Sequence, residues 1–159
     1  MDLTTIRERL EGADIFFTQG KILGQASVIG YEKKFKWSWL ATQMNTFIVA
    51  TDFEDELITV PLIRQHLDGS FTFANKNYNG WPKGLQSGVG VISILISSQV
   101  SPEAEHYCRK LKADKKWAGF MVPAIIDSSR EELIHFDKNP MWGRIYYPHF
   151  KRLIQGLAG

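Results

Sequence analysis

Cysteine is nearly absent from this sequence, and the residues that usually bind metals are sparse. Cys108 is the single cysteine, which excludes an internal disulfide bond and a zinc site built from several cysteines. The four histidines are far apart and form neither a His-Glu-x-x-His nor a His-x-His motif; they are His66, His106, His135 and His149. The sequence therefore predicts no metal site and no cofactor.

Long hydrophobic runs and a strong charge of one sign are also missing. The longest apolar run, Val89 to Ile96, contains Gly90 and Ser93 and is far too short to span a membrane. Residues 1–12 carry charges throughout, unlike a secretory signal. The net charge of +2 is too small to indicate nucleic acid by itself. We expect a cytoplasmic protein with no membrane association.

The composition is that of an ordinary globular protein. Of the 159 residues, 44% are hydrophobic and 23% are charged, which is enough for one domain over residues 1–159 with its own core. Leu3, Ile6 and Leu10 share one face of a short predicted helix that ends at Gly12. Three strands are predicted next, joined by short connections that favour an antiparallel meander; they cover 21–32, 34–41 and 45–53.

The second of these predicted strands alternates aromatic and basic residues. Phe35, Trp37 and Trp39 lie on one face, and Lys34 and Lys36 on the other. With Lys33 as a third lysine, these rings and lysines suit single-stranded nucleic acid, which binds by stacking and charge. Because the alternation separates rings from lysines, the favoured interpretation places the rings in the core and the lysines in water. Nucleic acid binding stays open as an alternative that is not favoured.

Residues 58–80 fit two patterns. Phe71 and Phe73 suggest a short strand, whereas a stripe at helical spacing suggests a helix; its members are Ile63, Leu67, Phe71, Ala74 and Tyr78. Thr59 can cap that helix, and Pro61 suits its first turn. The helix is the preferred interpretation.

The second half of the chain predicts a strand, a helix, a strand pair and a closing helix. Val89–Ser97 reads as a strand covered on both faces, and 101–114 as a helix capped by Ser101. The strand pair covers 120–127 and 132–137, with Pro123 marking an edge or a bulge. A final helix begins near Pro148, with an apolar stripe of Phe150, Leu153, Ile154 and Leu157. The order helix, three strands, helix, strand, helix, two strands, helix predicts a single α+β domain, in which the meander extends into a mixed sheet with packed helices.

The stretch NYNGWPKGLQSG, residues 77–88, raises the question of a phosphate-binding loop. Such loops leave a strand and open a helix, whose N-terminus supplies free N–H groups. Here the glycines leave a predicted helix and enter a strand, and Pro-Lys-Gly stands where Gly-Lys-Ser/Thr is needed. The loop is therefore predicted to be a tight connection, in which Gly80 ends the helix in a left-handed conformation and Pro82 prevents its continuation.

Trp81 and Lys83 are costly side chains for a loop whose role is only geometric. One hypothesis is a ligand-binding or partner-binding surface, in which the indole stacks on a ring, basic groups hold an anion and an amide sets the orientation. Its candidate residues are Asn79, Trp81, Lys83, Gln86 and Arg144. The alternative is a buried Trp81, with Lys83 alone in solvent.

Over residues 1–97 the order helix, three-stranded meander, helix, strand resembles the core of the restriction-endonuclease-like, or PD-(D/E)xK, superfamily. In that family two carboxylates hold Mg²⁺ and a lysine steadies the attacking water. The resemblance implies a metal-dependent nuclease in which Asp14, Glu32 and Lys34 take these roles. Glu32, however, is predicted at a charged hairpin turn, whereas the family places this residue within a strand.

The segment 139–153 combines four aromatic residues with basic ones, the residue types that anchor protein interfaces and also dock a last helix. They are Trp142, Tyr146, Tyr147 and Phe150 beside Arg144, Lys151 and Arg152. No complete catalytic constellation is visible. The leading prediction is a non-enzymatic binding or interaction module that forms homo-oligomers or binds a protein partner through aromatic surfaces. The alternative is the nuclease, with its catalysis intact or lost.

Overall fold

The computed structural model describes residues 1–39, 41–80, 87–110, 119–138 and 146–158. Within these ranges four helices and six strands follow one another in the predicted order, which confirms the α+β class. The helices are α1 (Leu3–Gly12), α2 (Val60–Asn77), α3 (Pro102–Arg109) and α4 (Tyr147–Ala158). The strands are β1 (Phe16–Ile22), β2 (Gln25–Lys36), β3 (Thr42–Asp52), β4 (Ser87–Ser97), β5 (Gly119–Asp127) and β6 (Glu132–Ile134).

The strands form one mixed sheet in the order in which they occur along the chain. β1, β2 and β3 are antiparallel neighbours, which confirms the predicted meander. β4 runs parallel to β3, and β5 runs parallel to β4, with α2 and α3 as the crossover connections. β6 pairs antiparallel with the end of β5. The first residues of β3, β4 and β5 therefore lie at the same end of the sheet as the last residues of β2.

Helices cover both faces of the sheet. α1 and α4 pack on one face, and α2 and α3 pack on the other. β4 shows the consequence, because Ile92 and Ile94 face α1 and α4 while Val91 and Leu95 face α2, and all four are fully buried. Each buried side chain of this size contributes about 1.5–3 kcal/mol to folding. The predicted strand with two covered faces is confirmed.

The predicted cap residues begin their helices. The Thr59 hydroxyl accepts a hydrogen bond of 3.3 Å from the Leu62 N–H at the start of α2, and Pro61 lies in the first turn. The Ser101 hydroxyl accepts one of 3.1 Å from the Ala104 N–H at the start of α3. Since α2 buries the apolar stripe that includes Ile63, the helical interpretation of 58–80 is confirmed.

The predicted boundaries of the first strands are wrong. Leu23 and Gly24 both have positive φ values, 53° and 76°, so a tight turn divides the predicted strand 21–32 into β1 and β2. The predicted strand 34–41 does not exist as such, because residues 34–36 complete β2 and Trp37–Trp39 form a 3-10 turn. Glu32 is not at a turn; it lies within β2 opposite Thr46.

The aromatic residues at the end of β2 divide between the core and the solvent. Trp39 is buried, as predicted, whereas Phe35 and Trp37 are 38% and 81% exposed. The 3-10 turn ends the strand alternation after Lys36, so the three rings do not share one face. The expectation that all three lie in the core is wrong for Phe35 and Trp37.

β5 and α4 follow their predictions closely, whereas the predicted strand 132–137 is too long, because β6 ends at Ile134. On one side of β5, Pro123 pairs with Ser93 of β4. On the other side, β6 pairs only with Ile125 to Asp127. No strand therefore needs a hydrogen bond from a backbone N–H of Pro123 on the β6 side. α4 buries Phe150, Ile154 and Leu157 against the sheet, as the apolar stripe predicted. Of the helices in the described ranges, none is both long and apolar enough to cross a membrane.

Candidate functional site

Asn79 is the candidate binding residue that falls within the described residues. Trp81, Lys83, Gln86 and Arg144 lie outside them, so the surface predicted from these five residues stays a prediction. Asn79 is exposed and lies just after α2. It lines a cavity of about 330 Å³, here called the Tyr31 concavity, together with Asp14, Ile15, Phe16, Phe17, Tyr31, Lys33 and Asn77.

A distortion of β1 brings an aromatic side chain to this concavity. The pairing of β1 with β2 shifts between Phe16 and Thr18, which leaves Phe17 as the extra residue of a β-bulge. Such bulges re-aim side chains. The Phe17 ring packs edge-on against Tyr31 with 5.9 Å between centroids, and 42% of the residue remains exposed. Phe17 therefore supplies an apolar wall that is still open to solvent.

Tyr31 is fixed in place by hydrogen bonds at its hydroxyl. The hydroxyl donates to Asn45 Oδ1 at 2.8 Å and accepts from the Asn79 N–H at 3.2 Å. Burial raises the pKa of Tyr31 and outweighs the bond from Asn79, which lowers it. The phenol is thus a neutral, pre-positioned ring at neutral pH.

Two charged residues of opposite sign line the concavity. The Lys33 ammonium lies 5.8 Å from the centroid of the Tyr31 ring, within the range of a cation–π contact. Asp14 stands in the turn between α1 and β1 with a φ of 59°, a left-handed conformation that aspartate tolerates. The lining therefore offers a cation, an anion, ring surfaces and the amides of Asn77 and Asn79.

Asn45 holds the segment after α2 against the sheet. This fully buried residue donates to Gln43 Oε1, to the Tyr78 hydroxyl and to the Gly88 carbonyl at 3.2–3.4 Å. A Cβ at Gly80 would stand 2.5 Å from Asn45 Oδ1 and 2.7 Å from Gln43 Oε1. Glycine is required at Gly80 by this close approach. The predicted left-handed conformation is wrong, because Gly24 is the glycine with positive φ among the described residues.

The residues proposed for nuclease chemistry are not brought together. His149 Nε2 donates to Glu32 Oε1 at 2.6 Å, on the sheet face covered by α4. Tyr31 and Lys33 alternate with Glu32 and Lys34 along β2 and point to the other face, and Asp14 lines the concavity with Tyr31 and Lys33. Within the described ranges, no group of three or more His, Cys, Asp or Glu residues is placed to hold a metal ion.

Two other chemically reactive side chains, Cys108 and His66, lie inside the protein. Burial raises the pKa of the Cys108 thiol to about 12, despite the opposing effect of Arg109. His66 is fully buried under α2, where its Nε2 bonds the Thr51 hydroxyl at 2.6 Å and its Nδ1 bonds the Ser93 hydroxyl. Burial lowers the pKa of His66 to about 3, so the ring is neutral.

The sequence reasoning missed Phe17 and Tyr31 as residues of this candidate site, and it considered Lys33 only for a nucleic-acid surface. A signal for Tyr31 was present, because Tyr31, Lys33 and Phe35 occupy alternate positions and therefore share one face of β2. The bulge that turns Phe17 toward them has no such local signal. Comparison with known proteins found no family model, no curated protein and no solved structure that matches the chain.

Proposed function

We propose that this protein is a non-enzymatic binding module that holds a planar, negatively charged ligand in the Tyr31 concavity. The observation that carries the proposal is the position of Lys33, whose ammonium lies over the Tyr31 ring in a cavity that Phe17 also lines. Ring surfaces favour a planar group, and the ammonium favours an anion. The expected ligand is therefore both planar and negatively charged.

The remaining groups support a polar, ring-bearing ligand of modest size. A cavity of about 330 Å³ lies near the lower end of typical small-molecule sites. Asp14 is placed to accept a hydrogen bond from the ligand, and the exposed amide of Asn79 is placed to orient it. A nucleoside monophosphate has the matching set: a ring with exocyclic donors and an anionic group.

The environment of the reactive side chains supports binding rather than chemistry. Cys108 is buried, and His66 is buried and hydrogen-bonded to Thr51. Glu32 is hydrogen-bonded to His149. The concavity itself contains no pair of a nucleophile and its base among the residues that line it within the described ranges.

Amide-resolved NMR of the full chain tests the proposal. Adenosine 5′-monophosphate is the probe, and adenosine and inorganic phosphate are separate arms. We expect the monophosphate to shift the amide signals of Tyr31, Lys33 and Asn79 and to bind more tightly than either fragment. Phe17→Ala and Lys33→Gln should each weaken binding about tenfold, whereas Leu23→Ala, an exposed apolar residue in the β1–β2 turn, should leave it unchanged. Absence of any shift at millimolar monophosphate would overturn the proposal.

Three further predictions belong to this proposal. The chain forms a single domain over residues 1–159, the protein is cytoplasmic, and it self-associates or binds a protein partner through aromatic surfaces. The lone cysteine fits a reducing compartment. Light scattering across a concentration series measures association, and a strict monomer at high concentration contradicts it. Fractionation of cells that express the tagged chain measures its location.

A further inference from the structure

The end of β2 carries an unusually open aromatic surface. Trp37 is 81% exposed, and the Phe35 ring stands edge-on to it with 5.2 Å between centroids and 84° between planes. We call these two residues the aromatic tip. At this exposure most of the indole surface contacts water, which costs free energy unless a partner covers it.

Three lysines adjoin the aromatic tip along β2, with Lys33 on one face of the strand and Lys34 and Lys36 on the other. Lys33 is exposed, and Lys34 and Lys36 are half-buried. None of the ion pairs among the described residues involves these three lysines. The acid in the same stretch, Glu32, is turned toward His149 on the α4 face. The electrostatic potential beside the exposed rings is therefore positive, because no ion pair among the described residues neutralises these lysines.

We propose that the aromatic tip and these lysines bind single-stranded nucleic acid. A base stacks on the Trp37 indole, and the ammonium groups of Lys33, Lys34 and Lys36 bind the phosphates on either side. The inference stands on the exposure and charge at the end of β2. Lys33 also lines the Tyr31 concavity, whereas Trp37, Lys34 and Lys36 are not among the residues that line it, so the tip does not require a ligand there.

The composition of the surface favours a nucleic acid over a protein partner. A protein interface would bury Trp37 together with its lysine neighbours, and lysine is depleted in such interfaces because its desolvation is costly. A polyanion uses the same lysines without removing their charge. Single strands are favoured over duplexes, because only unpaired bases present a face that an indole can cover.

Fluorescence anisotropy of a labelled oligothymidylate of about 20 nucleotides, titrated with the full chain, tests the proposal. We expect a dissociation constant of about 1–100 µM at low salt. Trp37→Ala should weaken binding about 5- to 150-fold, the loss of one stacked base, and Trp37→Phe should restore most of the affinity. Leu57→Ala is the matched control, because it removes an exposed apolar side chain at the opposite end of the sheet.

Salt dependence separates the phosphate contacts from the stacking contact. Three neutralised phosphates give a slope of log K against log salt of about −2 for a single strand. The double variant Lys34→Gln/Lys36→Gln should flatten this slope by about 1.4, and Trp37→Ala should leave it unchanged. A double variant that keeps the wild-type slope and the wild-type affinity would contradict the assignment of the lysines.

Three results would overturn the proposal. They are no binding at about 100 µM protein in low salt, equal affinity for a duplex of the same length, and equal affinity of Trp37→Ala and the wild type. A dimer in sedimentation equilibrium that Trp37→Ala dissociates would assign the tip to a second copy instead. Phe17→Ala keeps the two proposals apart, because it should weaken binding of the monophosphate and leave oligothymidylate binding unchanged.

Discussion

The imidazole of His149 and the carboxylate of Glu32 meet at 2.6 Å although 117 positions separate them in the chain. His149 is 4% exposed, and its ring centroid lies 5.1 Å from that of Trp39. The pair therefore ties α4 to the middle of β2 in a largely dry environment, where a polar group without its partner is costly.

Removal of the Glu32 carboxylate should destabilise the protein. Glu32→Ala leaves the buried His149 N–H without an acceptor, and we expect a loss of about 1–3 kcal/mol in the free energy of unfolding. Glu32→Gln retains an acceptor and should lose less. Urea titration measures both. Glu8→Ala, at an exposed position of α1, is the control and should stay within about 0.5 kcal/mol of the wild type. Equal effects of Glu32→Ala and Glu8→Ala would contradict a stabilising role for the pair.

His66 should make the stability of the protein depend on pH. Its pKa of about 3 in the folded chain lies below its ordinary value of 6.5, so the unfolded chain binds more protons between these values. The stability contributed by the neutral ring is therefore complete above about pH 6.5 and is lost as the pH falls toward 3, at about 1.4 kcal/mol per pH unit. Urea titrations from pH 7 to pH 4 measure this slope.

His66→Gln serves as the reference for that measurement. Glutamine preserves hydrogen-bonding groups for Thr51 and Ser93 but does not titrate. Because the carboxylates contribute equally to both proteins, the difference between the two pH profiles isolates the histidine. Parallel profiles would show that His66 is not kept neutral by the fold.

Two glycine substitutions should have opposite effects. Gly80→Ala places a methyl group against the amide of Asn45, which four hydrogen bonds hold in place, and should cost about 1–3 kcal/mol. Gly156→Ala, in α4 with open space around the new Cβ, should stabilise by about 0.4–1 kcal/mol. Thermal melts compare the two. Stabilisation by Gly80→Ala would mean that the segment after α2 does not rest on β3.

Local chemistry predicted the starts of α2 and α3 well, although α3 ends at Arg109 and not at the predicted 114. Thr59 and Ser101 cap α2 and α3 as expected. Each hydroxyl accepts a hydrogen bond from an N–H three residues later, and each first turn contains a proline, so the signal is local in the sequence. The helical spacing was the better guide for α2, which buries Ile63, Leu67 and Ala74 of the predicted stripe.

The strand boundaries and the site depended on information that no local pattern carries. Leu23 adopts a left-handed conformation, which is rare for leucine, so the turn after β1 had no glycine pair to mark it. The bulge at Phe17 arises from the pairing with β2. The partner of Glu32 is a histidine in the last helix. Such contacts depend on tertiary register, and a single sequence does not specify which distant residue will meet a given one.

The helices of the two sheet faces arrive at different times during synthesis. α2 and α3 connect the parallel strands that they cover, so their face is complete once β5 has formed. α4 follows all six strands, and its contacts reach back to Glu32 and to Arg9, which donates to the Leu157 carbonyl across 148 positions. Until residues 147–158 leave the ribosome, Met44 and Ile92 lack the cover of Phe150 and Ile154. The α1/α4 face is therefore the surface on which a nascent chain is most exposed to aggregation and to chaperones.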